Sequence, residues 1–231
     1  MPAVVDGLAG TDDDGDAAAM RSTGYGPSSG GPDEEFLRRM RAPENEIPVT
    51  VPLNTLLARS GNVALALLGL QVYSTGVSFD LAVRCRPGAV EGGALSDVFW
   101  GRSGGSEFLV GLEFADGRRV TSAGIPFPGR WGPDDIVFHH GGGSGDELTV
   151  DQSWWLNPLP PAGPLHVVIR CDRLGIGETR TVLDGAAISR AAAGVVELWP
   201  WEPAPELGPP EDRPPDVPRD SWFAGEGSGE G

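Results

Sequence analysis

Residues 101–105 read GRSGG, which matches the G-x-S-x-G pattern of a catalytic serine. In α/β-hydrolases that serine stands at a sharp turn between a strand and a helix, above a parallel sheet. Here the residues from Ser106 onward alternate between apolar and polar positions, which predicts another strand in place of the helix. We therefore interpret the motif as a loop between strands and predict no catalytic residue.

Three histidines are the next candidates for chemistry, as metal ligands. His139 and His140 are adjacent near the end of a predicted strand, so their side chains point to opposite faces and do not readily share one ion. His166 has no partner at ligand spacing. The acidic run at residues 12–16 lacks the glycine and the bidentate glutamate of an EF-hand loop. We predict no metal site and no cofactor.

Two adjacent tryptophans are the most informative pair in the chain. Successive strand residues face opposite sides, so Trp154 falls on the apolar face and Trp155 on the polar face that also carries Asp151. An indole on a polar face could stack on a sugar ring or on a partner's proline, with Asp151 as its hydrogen-bonding neighbour. The alternative is that a terminal helix or residues 198–201 cover Trp155.

The charge of the chain limits its partners. The 231 residues carry a net charge of -16, and all 17 basic residues are arginines. The absence of lysine excludes Schiff-base lysines, a P-loop lysine and lysine general bases. Residues 1–46 hold 10 acidic and 4 basic groups, and residues 197–231 hold 9 and 2. Such acidity repels phosphate backbones, so we predict no nucleic-acid partner.

The amino-terminal segment, residues 1–45, is predicted to be disordered and acidic, because it has too few apolar residues to offset the entropy of ordering. Within it, acidic residues followed by arginines predict a short helix near 33–41. Phe36 and Met40 are four residues apart on one face of that helix. They are candidates for docking on the domain or on a partner.

The carboxy-terminal segment, residues 202–231, is rich in proline, glycine and acidic residues and has no strand or helix period. This composition predicts a second disordered tail. Trp222 and Phe223 are large aromatics within it, so we predict that they dock on a partner.

Residues 46–201 are predicted to form one mainly-β domain, an antiparallel β-sandwich or jelly-roll-like fold with one or two short helices. Short hairpin-linked strands without long intervening helices argue against a parallel α/β fold. The predicted segments are a helical turn at 53–58, a strand at 63–72 buried on both faces or bulged near Gly69, a half-buried strand at 77–85, a tight hairpin at Asp116-Gly117, a strand at 135–140, a flexible loop at 141–145, two strands within 147–171 joined by prolines, a strand at 179–183, and a helix at 185–193 capped by Asp184.

The compartment is predicted to be the cytoplasm. The first twenty residues lack the basic and apolar regions of a secretory signal, and the longest apolar run, residues 63–70, is far shorter than the ~20 residues that span a bilayer. We predict no membrane partner. Cys85 and Cys171 lie in apolar strand-like runs, which favours free cysteines over a disulfide in a reducing compartment.

Residues 49–88, 114–119 (FADGRR) and 154–185 resemble a family of uncharacterised proteins from high-GC bacteria. The first stretch begins VTVPLNTLLARSG and the third begins WWLNPLPPAGP. The resemblance extends over roughly residues 46–200. It implies a single domain and brings no activity, ligand or catalytic residue.

Two hypotheses about function follow from the sequence. The first is a non-enzymatic protein-interaction module with an unidentified protein partner, because no motif links a reaction to named residues. The second is a carbohydrate- or small-ligand-binding domain, or a carboxylate-type hydrolase, around Trp155 and Asp151. A glycoside hydrolase needs two carboxylates ~5 to 9 Å apart in one cleft. The exposure of Trp155 and the pairing of acidic residues discriminate between the two hypotheses.

Overall fold

The computed structural model of the protein describes residues 34–90, 94–100, 107–123 and 134–202. The GRSGG motif and most of the predicted disordered tails lie outside these residues. Trp222 and Phe223 also lie outside them, so their docking stays a prediction.

The described residues confirm the mainly-β class with short helices. In chain order the elements are α1 (Glu34–Met40), β1 (Glu46–Ile47), β2 (Val49–Arg59), β3 (Val63–Val72), β4 (Val77–Cys85), α2 (Leu95–Trp100), β5 (Leu109–Glu113), β6 (Arg119–Thr121), β7 (Val137–Gly145), β8 (Thr149–Asn157), β9 (Pro164–Cys171), a 3-10 turn (Asp172–Leu174), β10 (Ile176–Asp184), α3 (Gly185–Ala192) and β11 (Val196–Glu197).

The strands form two antiparallel sheets that face each other across one core. The larger sheet has the order β2-β3-β4-β8-β7 and the smaller has the order β10-β9-β5-β6, while β1 and β11 form a separate ribbon. Leu65 and Val83 from the larger sheet join Val110 and Ile169 from the smaller sheet in the same buried cluster. Alternating inward positions from both sheets therefore build a sandwich core.

The proline-rich connection after β8 carries the chain from one sheet to the other, because β8 belongs to the larger sheet and β9 to the smaller one. The helix α3 is anchored to this connection. Ser189 Oγ donates a hydrogen bond to the Pro160 carbonyl at 3.0 Å, and Gly185 N donates to the Gly163 carbonyl at 2.8 Å. As predicted, Asp184 caps α3, since its Oδ1 accepts from Ala187 N at 3.1 Å.

The predicted helical turn at 53–58 is wrong, because these residues belong to the strand β2. The pairing of β2 with β3 shifts register between Pro52 and Thr55 and again between Leu56 and Ala58. A bulge breaks the period of two and lets two successive residues face the same side. Leu57 and Ala58 are accordingly both buried, which imitates the clustered apolar pattern of a helix.

The predicted loop at 141–145 is also wrong, since these residues form the second half of β7. They pair with β8 through a register shift between His140 and Gly142. An added Cβ at Gly143 would collide with the Asp151 carbonyl, so the two backbones approach too closely for a side chain there. Gly143 therefore permits the close pairing of β7 with β8. The helix α2 was not predicted.

Candidate functional site

Trp155 lies on the outer face of the larger sheet, as the alternation predicts, but it is covered. Only 4% of the residue is exposed. Its Nε1 donates a 2.8 Å hydrogen bond to the carbonyl oxygen of Arg39 in α1. Tyr73 meets the indole edge-on, with ring centroids 5.7 Å apart. The structure thus matches the alternative in which a terminal helix covers Trp155, and the residue offers no open platform for a sugar.

Helix α1 is held on the sheet by further polar contacts. Nε2 of His139 donates to the Met40 carbonyl at 2.7 Å. The Arg39 guanidinium donates to the Asn157 side chain at 3.3 Å and to the Asp135 carbonyl. These contacts attach α1 to β7 and β8, so the folded unit includes a helix that the sequence placed in a disordered tail.

The two residues predicted to dock from this helix are both half-buried. Phe36 and Met40 each belong to the intermediate exposure class. Met40 uses its backbone to bind His139, so this end of α1 docks on the chain's own sheet. The use of both side chains by a partner stays a prediction.

Beyond α1, the outer face of the larger sheet carries no other described element. We call this region the open face. Its position follows from the strand pairing, which aligns outward residues of β2, β3, β4 and β8 in three rows. The open face consists of Leu56, Arg59, Ala64, Ala66, Leu68, Asp80, Ala82, Arg84, Asp151 and Ser153.

The centre of the open face consists of small apolar side chains. Ala66 pairs with Leu56 on one side and with Ala82 on the other. Leu56 is 55% exposed and Leu68 is 47% exposed, whereas only 5% of Ala82 is exposed. The alanines therefore form a floor with a leucine standing above it on two sides.

The charges of the open face are separated. Arg59 and Arg84 lie in the row nearest the β2–β3 turn, and a shallow depression of about 270 Å³ beside them has no acidic residue in its lining. Asp80 and Asp151 line a second depression of about 340 Å³ further along the face. The two arginines therefore lie at one end of the face and Asp80 at the other, while Asp151 lies in the middle row opposite Ala82.

Only part of this charge is neutralised within the chain. Arg84 and Asp151 form a salt bridge of 2.8 Å, and both side chains remain about half exposed. Arg59 and Asp80 have no ion pair within the described part of the chain. Among the described residues, no ion pair therefore neutralises Arg59 on the edge strand β2 or Asp80 on β4.

The two aspartates meet part of the requirement for a carboxylate hydrolase. Asp80 pairs with Ser153, and Asp151 is two residues further along the same strand, so the aspartates are diagonal neighbours about 7 to 8 Å apart. A general acid, however, needs an apolar enclosure that retains its proton at neutral pH. Asp151 is half exposed and bound by Arg84, and the depression that it shares with Asp80 is shallow and open.

Among the described residues, no group of three or more His, Cys, Asp or Glu side chains is placed to hold a metal ion. No described helix is both long enough and apolar enough to cross a membrane. Both cysteines are free, Cys171 in the core and Cys85 half-buried near the carbonyl of Glu147.

Comparison with known proteins gives no relative. No protein-family model matches the chain, and no curated protein and no solved structure is significantly similar to it. A function must therefore be inferred from the geometry of the chain's own surface.

Sequence reasoning missed the open face although its signal is present. The strand β3 is apolar at successive positions, which predicts burial on both faces. In the structure its inner residues are buried, whereas Ala64, Ala66 and Leu68 face outward with no described element above them. An apolar strand whose outer half remains uncovered is a signal for an interaction surface.

Proposed function

We propose that this protein is a non-enzymatic protein-interaction module and that the open face is its binding surface. The observation that carries the proposal is the exposure of Leu56 and Leu68 on either side of the alanines, with no described element above them. Exposed apolar patches with polar rims are typical of protein-binding surfaces. A domain that needed this face only for its own stability would gain nothing from two leucines in water.

The shape and charge of the face support a protein ligand over a small one. The alanines lie on β3 and β4, and the two depressions beside them are shallow and open to solvent. Small ligands usually bind in enclosed clefts that bury most of their surface. The charged residues at the rim, Arg59, Arg84, Asp80 and Asp151, supply orientation and partner choice, as rim charges do in other interfaces.

The carbohydrate-binding and hydrolase hypotheses have less support. Their stacking platform, Trp155, is covered by α1 and hydrogen-bonded to it. The remaining acidic pair, Asp80 and Asp151, lies on an open face without an exposed aromatic ring beside it among the described residues. A protein-binding surface would use the exposed leucines and charges of the open face. A sugar site would need the ring of Trp155, which is buried.

The proposal is tested by interface substitutions in the full-length chain. Leu56→Glu and Leu68→Glu place a charge at the apolar centre, and Val182→Glu is the matched control, since Val182 is 58% exposed on the other sheet. The two leucine variants are expected to lose at least tenfold in affinity for a partner captured by the wild type, because a charge is desolvated at the interface centre. The control is expected to retain the partner, and all three are expected to melt as the wild type does. Retention of the partner by both leucine variants would contradict the proposal.

A further inference from the structure

We infer that the open face binds a second copy of this chain, in a weak two-fold symmetric dimer. The inference rests on the proposed function, because it names the partner of the same surface. Its basis is the placement of charges and leucines on the face, which are arranged so that the surface is complementary to itself.

The strand pairing fixes the relative positions. Arg59 pairs with Ala64, and Ala64 pairs with Arg84. Asp80 lies in the same strand as Arg84, four residues before it. Two strand spacings and four residues place Arg59 and Asp80 roughly 16 Å apart, with strands ~4.8 Å apart and a rise of ~3.3 Å per residue. Ala66 lies halfway between them, since it pairs with Ala82, which stands midway between Arg84 and Asp80.

A single symmetry operation uses this arrangement. Two open faces can pack against each other around a two-fold axis that lies in the interface and passes over Ala66. If this axis is perpendicular to the line from Arg59 to Asp80, it brings each Arg59 opposite Asp80 of the second copy. Because the operation is two-fold, both ion pairs form at once. The two charges without an ion pair within the described chain thus pair with each other.

The same axis also matches the other residues of the face. Leu56 lies on the neighbouring strand β2, directly opposite Ala66. Leu68 lies on β3, two residues after Ala66. The operation brings Leu56 of one copy beside Leu68 of the other. It also brings Arg84 towards Asp151 of the second copy, so that their existing salt bridge becomes part of a four-charge network. One operation therefore aligns the apolar and the charged groups together.

Charge balance favours this partner over an unrelated acidic or basic protein. The whole chain has a net charge of -16, which makes two copies repel each other over most of their surfaces. The open face carries two arginines and two aspartates and is neutral. It therefore adds no repulsion of its own when two copies meet, and the positions of its charges orient them.

The area of the open face limits the affinity of the dimer. Three rows and four strands cover a footprint of roughly 20 by 20 Å, about half of the ~800 Å² per partner of a standard interface. The helix α1 limits the footprint by covering the end of the sheet that holds Trp155 and His139. We therefore expect a dissociation constant in the micromolar range or weaker, which is measured at high protein concentration.

The test is charge-swap complementation, followed by sedimentation equilibrium of the full chain at 10 μM to about 1 mM, the range in which micromolar dimers assemble. Arg59→Asp and Asp80→Arg each place like charges opposite each other twice, so each variant alone is expected to dimerise at least tenfold more weakly than the wild type. An equimolar mixture is expected to form a heterodimer, since the new carboxylate then faces the new guanidinium and the native pair forms at the other contact. Arg173→Asp changes the net charge by the same amount as Arg59→Asp but lies away from the face, so it is expected to dimerise as the wild type does.

Three outcomes would overturn the inference: a monomeric wild type at 1 mM, single variants that dimerise normally, or a mixture that stays monomeric. The proposed function fails separately. If the wild type is monomeric but Leu56→Glu and Leu68→Glu still lose another partner, the open face is a binding surface for a different protein. If neither association depends on these leucines, both proposals are wrong.

Discussion

The indole Nε1 of Trp155 donates a hydrogen bond to the backbone carbonyl of Arg39, 116 residues earlier in the chain, over a distance of 2.8 Å. The contact joins α1 to the outer face of β8. It explains how a tryptophan on the polar side of a strand is buried, and it separates a covered end of the sheet from the open face. The helix therefore defines where a partner can bind.

Substitution of Trp155 by Phe tests this docking contact. Trp155→Phe removes the Nε1 donor and part of the ring volume, and we expect the free energy of unfolding to fall by about 1 to 3 kcal/mol. Urea denaturation measures the change. Trypsin provides a second readout, because Arg38 and Arg39 lie in α1 and an undocked helix is cleaved faster.

The matched control for that substitution is Trp199→Phe, since Trp199 is 57% exposed. Its effect on the unfolding free energy is expected to stay within about 0.5 kcal/mol. Equal losses of stability in the two variants, with unchanged trypsin cleavage in both, would contradict the docking role of Trp155.

A glycine beneath the same indole gives the second prediction. An added Cβ at Gly76 would lie 2.6 Å from Cη2 and Cζ2 of Trp155 and would also collide with the Leu156 carbonyl. Gly76→Ala is therefore expected to destabilise the fold by about 1 to 3 kcal/mol through overpacking. An added Cβ at Gly61 meets nothing within 4 Å, so Gly61→Ala is the control. Melting temperatures compare the two, and equal shifts would show that Trp155 does not pack tightly on Gly76.

Local alternation predicts which face of β8 each tryptophan occupies, and the structure confirms it. Trp154 is in the core cluster, where its ring stacks on Phe138 with centroids 4.9 Å apart. What covers Trp155 could not be predicted, because the cover is a seven-residue helix distant in sequence. A period of two assigns a side chain to a face, and only tertiary packing decides whether that face meets water.

Strand pairing also overrode local propensity at two positions. The glycines of 141–145 have low strand propensity, yet they pair with β8 because the neighbouring backbone supplies their hydrogen bonds. In β2, bulges place Leu57 and Ala58 on the same side and disguise the strand. The open face was missed for a related reason, since the apolar outer positions of β3 do not indicate whether another layer covers them.

The third prediction concerns the cap of α3. Asp184 Oδ1 accepts from Ala187 N, so Asp184→Ala is expected to cost about 1 kcal/mol of unfolding free energy. Asp184 also lies 3.6 Å from Arg190, but both side chains are largely exposed and such pairs contribute little. Asp184→Asn keeps the oxygen acceptor and removes the charge, and we expect near wild-type stability in urea. A loss of equal size in both variants would assign the effect to the ion pair.

The last prediction concerns His140 and pH. His140 faces inward beside Trp154, with ring centroids 5.7 Å apart, and its Nε2 has no hydrogen-bond partner within the described residues. Burial lowers the pKa of His140 below its usual value of 6.5, and neighbouring His139 lowers it further, against a raising contribution from the Gly142 backbone. In the unfolded chain the ring regains its usual pKa, so the unfolded state takes up the proton first as the pH falls. The stability linked to neutral His140 is therefore fully present above about pH 6.5 and is lost as the pH falls towards the pKa of His140 in the folded state.

Substitution by an aromatic ring that does not titrate isolates this effect. The difference in unfolding free energy between pH 7.0 and pH 5.0 is expected to be smaller in His140→Phe than in the wild type, because the variant has no ring to protonate. Urea denaturation at both pH values measures it, and the comparison of differences cancels the carboxylates that titrate in both proteins. If both proteins lose the same stability between these pH values, His140 is not the group that links proton binding to unfolding in this range.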